Sequence, residues 1–247
     1  PFSLPYHQPL DVIRTHFNQI NVSRFDFMTL FKKDETTATK NQIAAEYFSI
    51  NEKTFQIITK QNFDGTSTSI ERLNTYFGYA DEITFKSDIK KIPVLLRKTG
   101  LKYVDVVALL TTKFLNPRVD ATTTVTLFEP ASKCDLNTTE LRSIESITTG
   151  IPELSDTFLD RFHRFIRLWR NTSWTIRQLD QLVAATGEAD INDKVIQKLS
   201  KAAQVAKLTS ISIDRLHTLW GQMDFGDSKS TYHRLFLSKA NRSIDPV

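Results

Sequence analysis

Five histidines, at positions 7, 16, 163, 217 and 233, a single cysteine, Cys134, and a scatter of carboxylates are the groups with which this chain could do chemistry. Imidazoles one helical turn apart would hold zinc, a thiolate beside an imidazole would attack a carbonyl, and two facing carboxylates would cleave a glycosidic bond. The spacing supplies none of these. No His-Glu-x-x-His pair occurs, and no two histidines share a helical face at metal-ligand spacing. His163 stands among four arginines, which would repel a cation, and reads as a solvated or hydrogen-bonded histidine. Cys134 has no partner placed by the sequence and reads as a small, buried or partly buried thiol. Acid pairs such as Asp81-Glu82 are adjacent, so on a regular element they point apart. Gly-x-Gly-x-x-Gly, Walker A and Gly-x-Ser-x-Gly patterns are absent. No catalytic residue, cofactor or metal is therefore expected.

The densest functional chemistry is cationic and aromatic. Arg161, Arg164, Arg167 and Arg170 step every third residue through Phe158-Leu-Asp-Arg-Phe-His-Arg-Phe-Ile-Arg-Leu-Trp-Arg170, so on a helix they drift around the axis. Phe158, Phe162, Phe165, Ile166 and Trp169 fill the other side. The sequence predicts a solvated or salt-bridged arginine face over a buried aromatic stripe. A protein-partner interface carried by these four arginines is the next reading, because Arg and Trp anchor interfaces. Nucleic acid is the weakest, since it would want a coherent basic patch with exposed stacking rings. Trp174, in the following segment, and Trp220 are the remaining structural aromatics.

Helices must position these residues. Leu10, Ile13, Phe17 and Ile20 form a helical stripe after Pro9, an imino acid tolerated in a first turn. Thr39 to Gln42 has the form of a capping box, Ile70, Leu73 and Phe77 form a stripe that stops at Gly78, and Asn116-Pro117 ends the stripe Val106, Leu109, Leu110. Val195, Leu199, Ala202 and Ala206 mark a long helix beginning near Asn192. A motif recurs across these segments: an apolar residue, a polar cap, then apolar residues five and eight positions after the first. Its copies are Val22-Ser23 with Phe27 and Leu30, Ile50-Asn51 with Phe55 and Ile58, Leu101-Lys102 with Val106 and Leu109, Trp174-Thr175 with Leu179 and Leu182, and Ile211-Ser212 with Leu216 and Leu219. Each fits a staple residue before an N-cap, followed by an inward stripe, and together they predict helical hairpins.

One stretch departs from helical period. Ala121 to Phe128 is rich in β-branched residues and alternates, then meets a turn-like Glu129-Pro-Ala-Ser132, with Leu141 to Ile147 as the expected partner strand. The prediction is a mainly α fold, an irregular array of helical hairpins with a small β-hairpin insertion. Residues 1–117 form an N-terminal helical part, 118–149 a β-hairpin connector and 150–247 a C-terminal helical part. Phe63 to Thr68 reads as a flexible loop.

Composition sets the outer bounds. Of 247 residues, 40% are hydrophobic and 24% charged, an ordinary globular balance. No apolar run approaches the ~18 residues of a spanning helix, so direct membrane insertion is not expected. Thirty-two basic against 28 acidic residues leave +4, dispersed and too weak to favour nucleic acid. The first residues lack the charged-then-apolar layout of a secretory signal, and localisation is not read from this end. Sequons at Asn21, Asn137, Asn171 and Asn241 read as accidents of an Asn-, Ser- and Thr-rich chain.

The aromatic-basic stretch and its neighbours resemble the A subunit of bacterial insecticidal toxin complexes, in the region similar to the Salmonella virulence plasmid A protein family. The passages that carry the likeness are Leu4-Pro-Tyr-His-Gln-Pro-Leu-Asp-Val-Ile-Arg14, Thr99 to Pro117, Cys134-Asp-Leu136, Arg161 to Arg170 with Trp174-Thr-Ile, and Leu219-Trp-Gly221 with Tyr232-His-Arg-Leu-Phe-Leu237. They cover most of the chain in the family's order. The match is looser over 21–92, where Phe27 and Phe55 stand in place of the expected leucines. The resemblance implies a non-enzymatic segment of the α-helical shell of a pore-forming, translocating subunit. That subunit assembles as a homopentamer around a channel and delivers a toxic enzyme carried by other components. It also implies a secreted or cell-surface location, other protomers and the rest of the parent subunit as partners, and no catalytic residues. Two other readings stay open: a freestanding helical protein-interaction or nucleic-acid-binding module, and a helical hydrolase using His163 or Cys134.

Overall fold

A computed structural model describes residues 5–69, 71–118, 124–129, 135–149, 154–219, 221, 223 and 230–237. It is mainly helical with one two-stranded antiparallel sheet among the described residues. The recurring cap motif places five helix starts correctly. Ser23 caps α2 (Arg24–Leu30), Asn51 caps α4 (Glu52–Thr59), Thr175 caps α11 (Ile176–Ala185), and in each the side chain accepts the backbone N–H three residues on. Lys102, with no acceptor to offer, precedes α8 (Tyr103–Leu110), and there the Asp105 carboxylate reaches back to the Lys102 N–H at 2.9 Å. Ser212 precedes α13 (Ile213–Leu216) with its side chain unbonded to that helix.

The stripes behind those caps do not all point inward. Phe55 and Ile58, Val106 and Leu109, and Leu179 and Leu182 are buried as expected. Leu216 is buried but Leu219 is exposed. In α2 both stripe residues, Phe27 and Leu30, are exposed. The Phe27 ring packs on Phe17 of α1 (Gln8–Gln19) at 5.1 Å, so the two helices form a hairpin without a single buried residue in either.

The core lies further along the chain. α3 (Thr37–Tyr47) packs on α12 (Asp193–Thr209), α10 (Asp156–Arg170) on α4 and α5 (Leu73–Tyr76), and α8 on α11. Buried residues from Ala44 to Leu216 join one apolar cluster, so the parts before and after the β insert share a core. α3 starts at Thr37 instead of at a Thr39 box, because Asp34 accepts from Thr36 and Thr39 and fixes Thr36 as the cap. α5 ends before Gly78 (φ +74°), as its sequence implies, while Ile70 lies outside the described residues. α6 (Glu82–Ile89) and α7 (Ile92–Thr99) complete the first half, with Gly100 (φ +68°) closing α7.

In the insert, β1 (Val125–Phe128) pairs with β2 (Glu140–Ser143), Val125 opposite Ser143 and Phe128 opposite Glu140. The expected partner strand is thus shorter than Leu141 to Ile147. Pairing ends where β1 begins, and the chain turns directly into α9 (Ile144–Thr149). Buried Asn116 ties the insert to α8, donating to Leu110 O and Val125 O and accepting from Val125 N. Residues 119–123 and 130–134, Cys134 among them, are outside the described residues. Phe63–Thr68, expected as a flexible loop, is a turn closed by Asn62 N–Thr66 O and Thr68 N–Lys60 O bonds of 2.8 and 3.1 Å. Asn41 of α3 donates to Phe63 O and Asp193 of α12, binding that turn to two helices. Past α13 follow a 3₁₀ turn, His217–Leu219, and α14 (Thr231–Phe236).

Candidate functional site

α10 carries the four arginines, and Ser155 sets where it starts by accepting Phe158 N at 3.2 Å. From that start Phe158, Phe162, Phe165 and Ile166 face the core and are buried. Trp169 packs against the core part-buried, its Nε1 donating to Trp174 O at 2.9 Å. Trp174 occupies the residue before the Thr175 cap, half-buried and edge-on to Phe48 at 5.6 Å. It is a staple between the α10–α11 link and α3's end, though less buried than a core tryptophan. Trp220 is outside the described residues.

The four arginines do not form one exposed row, and the salt-bridged form of the expectation holds for Arg164. Arg164 is 0% exposed and Arg167 4%. The reason is that α10 is covered on more than one side, so a residue drifting off the aromatic stripe meets α4, α5 or the link before α12 instead of solvent. Arg164 Nε donates to Ile58 O at 2.6 Å, Nη1 to Asp190 at 2.8 Å and Asp160 at 3.2 Å, and Nη2 to Ile191 O. Ile58 O is an end carbonyl of α4, left without a helical donor, and the guanidinium supplies one. Arg167 lies over the Tyr76 ring, 5.9 Å from its centroid. Arg161, half-buried, sits over Phe114 at 5.4 Å, and Arg170, although exposed, donates to Thr99 O at 2.5 Å. Two of the four expected interface arginines are therefore interior, and the other two are engaged with this chain's own residues.

Around Arg164 stands a charged cluster that the sequence did not assemble. Lys60, the left-handed C-cap of α4 (φ 61°), reaches Asp160 at 2.6 Å. Burial alone would raise the Asp160 carboxyl, but the neighbouring Lys60 and Arg164 cations outweigh it and hold it well below the usual carboxylate range. His163 is buried and stacked on Tyr76 at 4.6 Å, not solvated. Its Nε2 stands 3.5 Å from Asp160, beyond a formed hydrogen bond, and neither ring nitrogen bonds another described residue. Burial pushes its pKa down from 6.5 to about 4, so the ring is neutral at pH 7. Asp180, also buried, accepts Lys113 N and Phe114 N, both at 2.9 Å, and holds the turn after α8.

A second charged centre lies at the N-terminal hairpin. Buried Glu46 of α3 accepts Arg14 Nε and Nη2, both at 2.9 Å, and Arg24 Nη1. Cavities of about 520, 310 and 750 Å³ flank this clamp. No group of three or more His, Cys, Asp or Glu among the described residues could hold a metal ion.

Apart from the His163 ring, the charged groups of both centres bond helix ends and one another, which fixes geometry. One of these links has a local signal that the sequence reading did not use, Asp160 four residues before Arg164. Asp190 and the carbonyls of Ile191 and Ile58 come from 26 to 106 residues away, and nothing in the local pattern announces them. Comparison with family models, curated proteins and solved structures finds no match to this chain.

Proposed function

We propose that this chain is a non-enzymatic scaffold, a segment of the α-helical shell of a pore-forming, translocating toxin A subunit that assembles as a homopentamer. The observation that carries the scaffold reading is the use of Arg164: the most charge-rich helix turns its central guanidinium inward to join α4, α10 and the link before α12. A wall segment needs this kind of internal cross-bracing, whereas a nucleic-acid reader needs its guanidinium groups at the surface. The toxin identity rests on the resemblance of Arg161–Arg170, Trp174-Thr-Ile and the four other passages. In that reading the partners are neighbouring protomers and other parts of the subunit, the location is secreted or at the cell surface, and membrane crossing belongs elsewhere in the subunit. No helix among the described residues is long and apolar enough to cross a membrane.

A freestanding protein-interaction module is the second reading. What favours it is the apolar surface on α1 and α2, where Ile20, Leu30 and Phe31 are each about two-thirds exposed or more. Expressing the entire reading frame that encodes this chain separates the two. A five-fold particle by single-particle imaging, with conductance steps in planar bilayers, is the result expected of the toxin subunit. A monomer that leaves bilayers silent sinks it.

A further inference from the structure

The α1–α2 hairpin is attached to the body in an inverted way. A helix normally buries its apolar stripe and leaves its charges in water. Here neither helix has a buried residue, while Ile20, Leu30 and Phe31 face solvent at 65, 76 and 66% exposure. What the hairpin turns toward the body is charge: Arg14 from α1 and Arg24 from α2 converge on Glu46, whose side chain is 5% exposed. Two further contacts join this segment to the body, Asn51 Nδ2 to Pro5 O at 2.8 Å and the Phe25 ring edge-on to Tyr47 at 5.0 Å. The hairpin's apolar residues on this side, Leu10 and Met28 beside the cavity of about 520 Å³ and Phe25 beside that of about 750 Å³, are only part-buried. The link to α3, residues 31–36, has no regular structure and begins the first well-buried helix of the chain.

We propose that α1 and α2 form a releasable clasp that opens from the body as one unit about residues 31–36, with Glu46 as its catch. Elements with little buried apolar area occupy the low end of the local stability range, opening without global unfolding. Within the hairpin Phe17, Phe27 and Phe31 pack among themselves with ring centres 5.1 and 4.8 Å apart, which ties α1 and α2 to each other. Opening exposes the Glu46 carboxylate and the lining of the larger cavities. It is a property of this chain whether or not the shell reading holds.

The test is hydrogen–deuterium exchange by mass spectrometry on the whole chain. In Glu46→Gln, which removes the charge that both guanidinium groups meet, amides of residues 10–30 should lose protection together, by about tenfold or more, while those of α10 and α12 stay unchanged. Arg24→Gln, which lies on the hairpin and leaves α3 intact, should do so as well and covers the case in which Glu46→Gln fails to fold. Uniform loss across hairpin and core in Arg24→Gln would overturn the proposal, as would α1–α2 protection that equals that of α10 and ignores both substitutions.

Discussion

Replacing Arg164 with methionine keeps an unbranched apolar stem and removes the guanidinium, so the change isolates the polar hub. Three terms follow from the geometry. Asp190 is 44% exposed and regains water, so losing that pair costs little, about 0 to 1 kcal/mol. Asp160 keeps Lys60 at 2.6 Å and is not left as an uncompensated buried charge. The carbonyls of Ile58 and Ile191 lose a buried donor, and at about 1 to 3 kcal/mol for each unsatisfied group they dominate the result. Relief from desolvating the cation offsets part of this. The expected loss is about 3 to 5 kcal/mol, a large share of the 5 to 15 kcal/mol typical of a folded domain.

Urea unfolding followed by tryptophan fluorescence measures it, with an unchanged m-value showing that the transition stays comparable. Arg164→Lys should recover less than half of the loss, because an ammonium restores the charge but cannot fork to two carbonyls and two carboxylates. Arg161→Met is the control: its side chain is half-buried over Phe114, and about 0.5 to 1 kcal/mol is expected. If Arg164→Met loses under about 1 kcal/mol, or no more than Arg161→Met, then the carbonyls find other donors and the bracing argument is wrong.

Acid should weaken the fold through His163: with its pKa near 4 folded and 6.5 unfolded, the unfolded chain binds the proton first, so stability is full above 6.5 and falls as pH drops toward 4. The ceiling is about 3 kcal/mol, and His163→Phe should flatten the urea midpoint between pH 6.5 and 4.5; an unchanged slope counts against it. Trp174→Ala should cost about 2 to 3 kcal/mol, less than a fully buried tryptophan because its indole is half-exposed, and a loss below about 1 kcal/mol in thermal unfolding would remove the staple role. Asp180→Asn leaves one carbonyl oxygen for two backbone donors, so about 1 to 2 kcal/mol should be lost by the same measurement.

Much of the helical frame was legible because the signals for helix starts are local. The five cap positions, the long helix after Asn192 and the aromatic stripe of α10 all follow from spacing within one or two turns. The small strand pair was legible too, although its end was not: whether Ile144 continues a strand depends on where the partner strand begins, information stored some twenty residues upstream.

The sense in which each stripe faces is a different kind of fact. Phe27 and Leu30 obey the same offsets as Phe55 and Ile58, yet the first pair is exposed and the second lies in the core. The motif encodes amphipathicity, and amphipathicity does not say which face the rest of the chain will cover. The arginines illustrate the converse. A row of cations reads as a surface because an unpaired buried charge is prohibitive. Arg164 escapes that rule because α4 ends in a carbonyl with no helical donor, and because Asp160 and Asp190 arrive from two directions. Its burial follows from where other elements terminate, so the residues that best explain it, Ile58 and Ile191, contribute only backbone atoms and are invisible to any search by side-chain type. A charged residue on a central helix is thus best judged by counting the helix ends within its reach: each orphan carbonyl lowers the cost of turning a guanidinium inward.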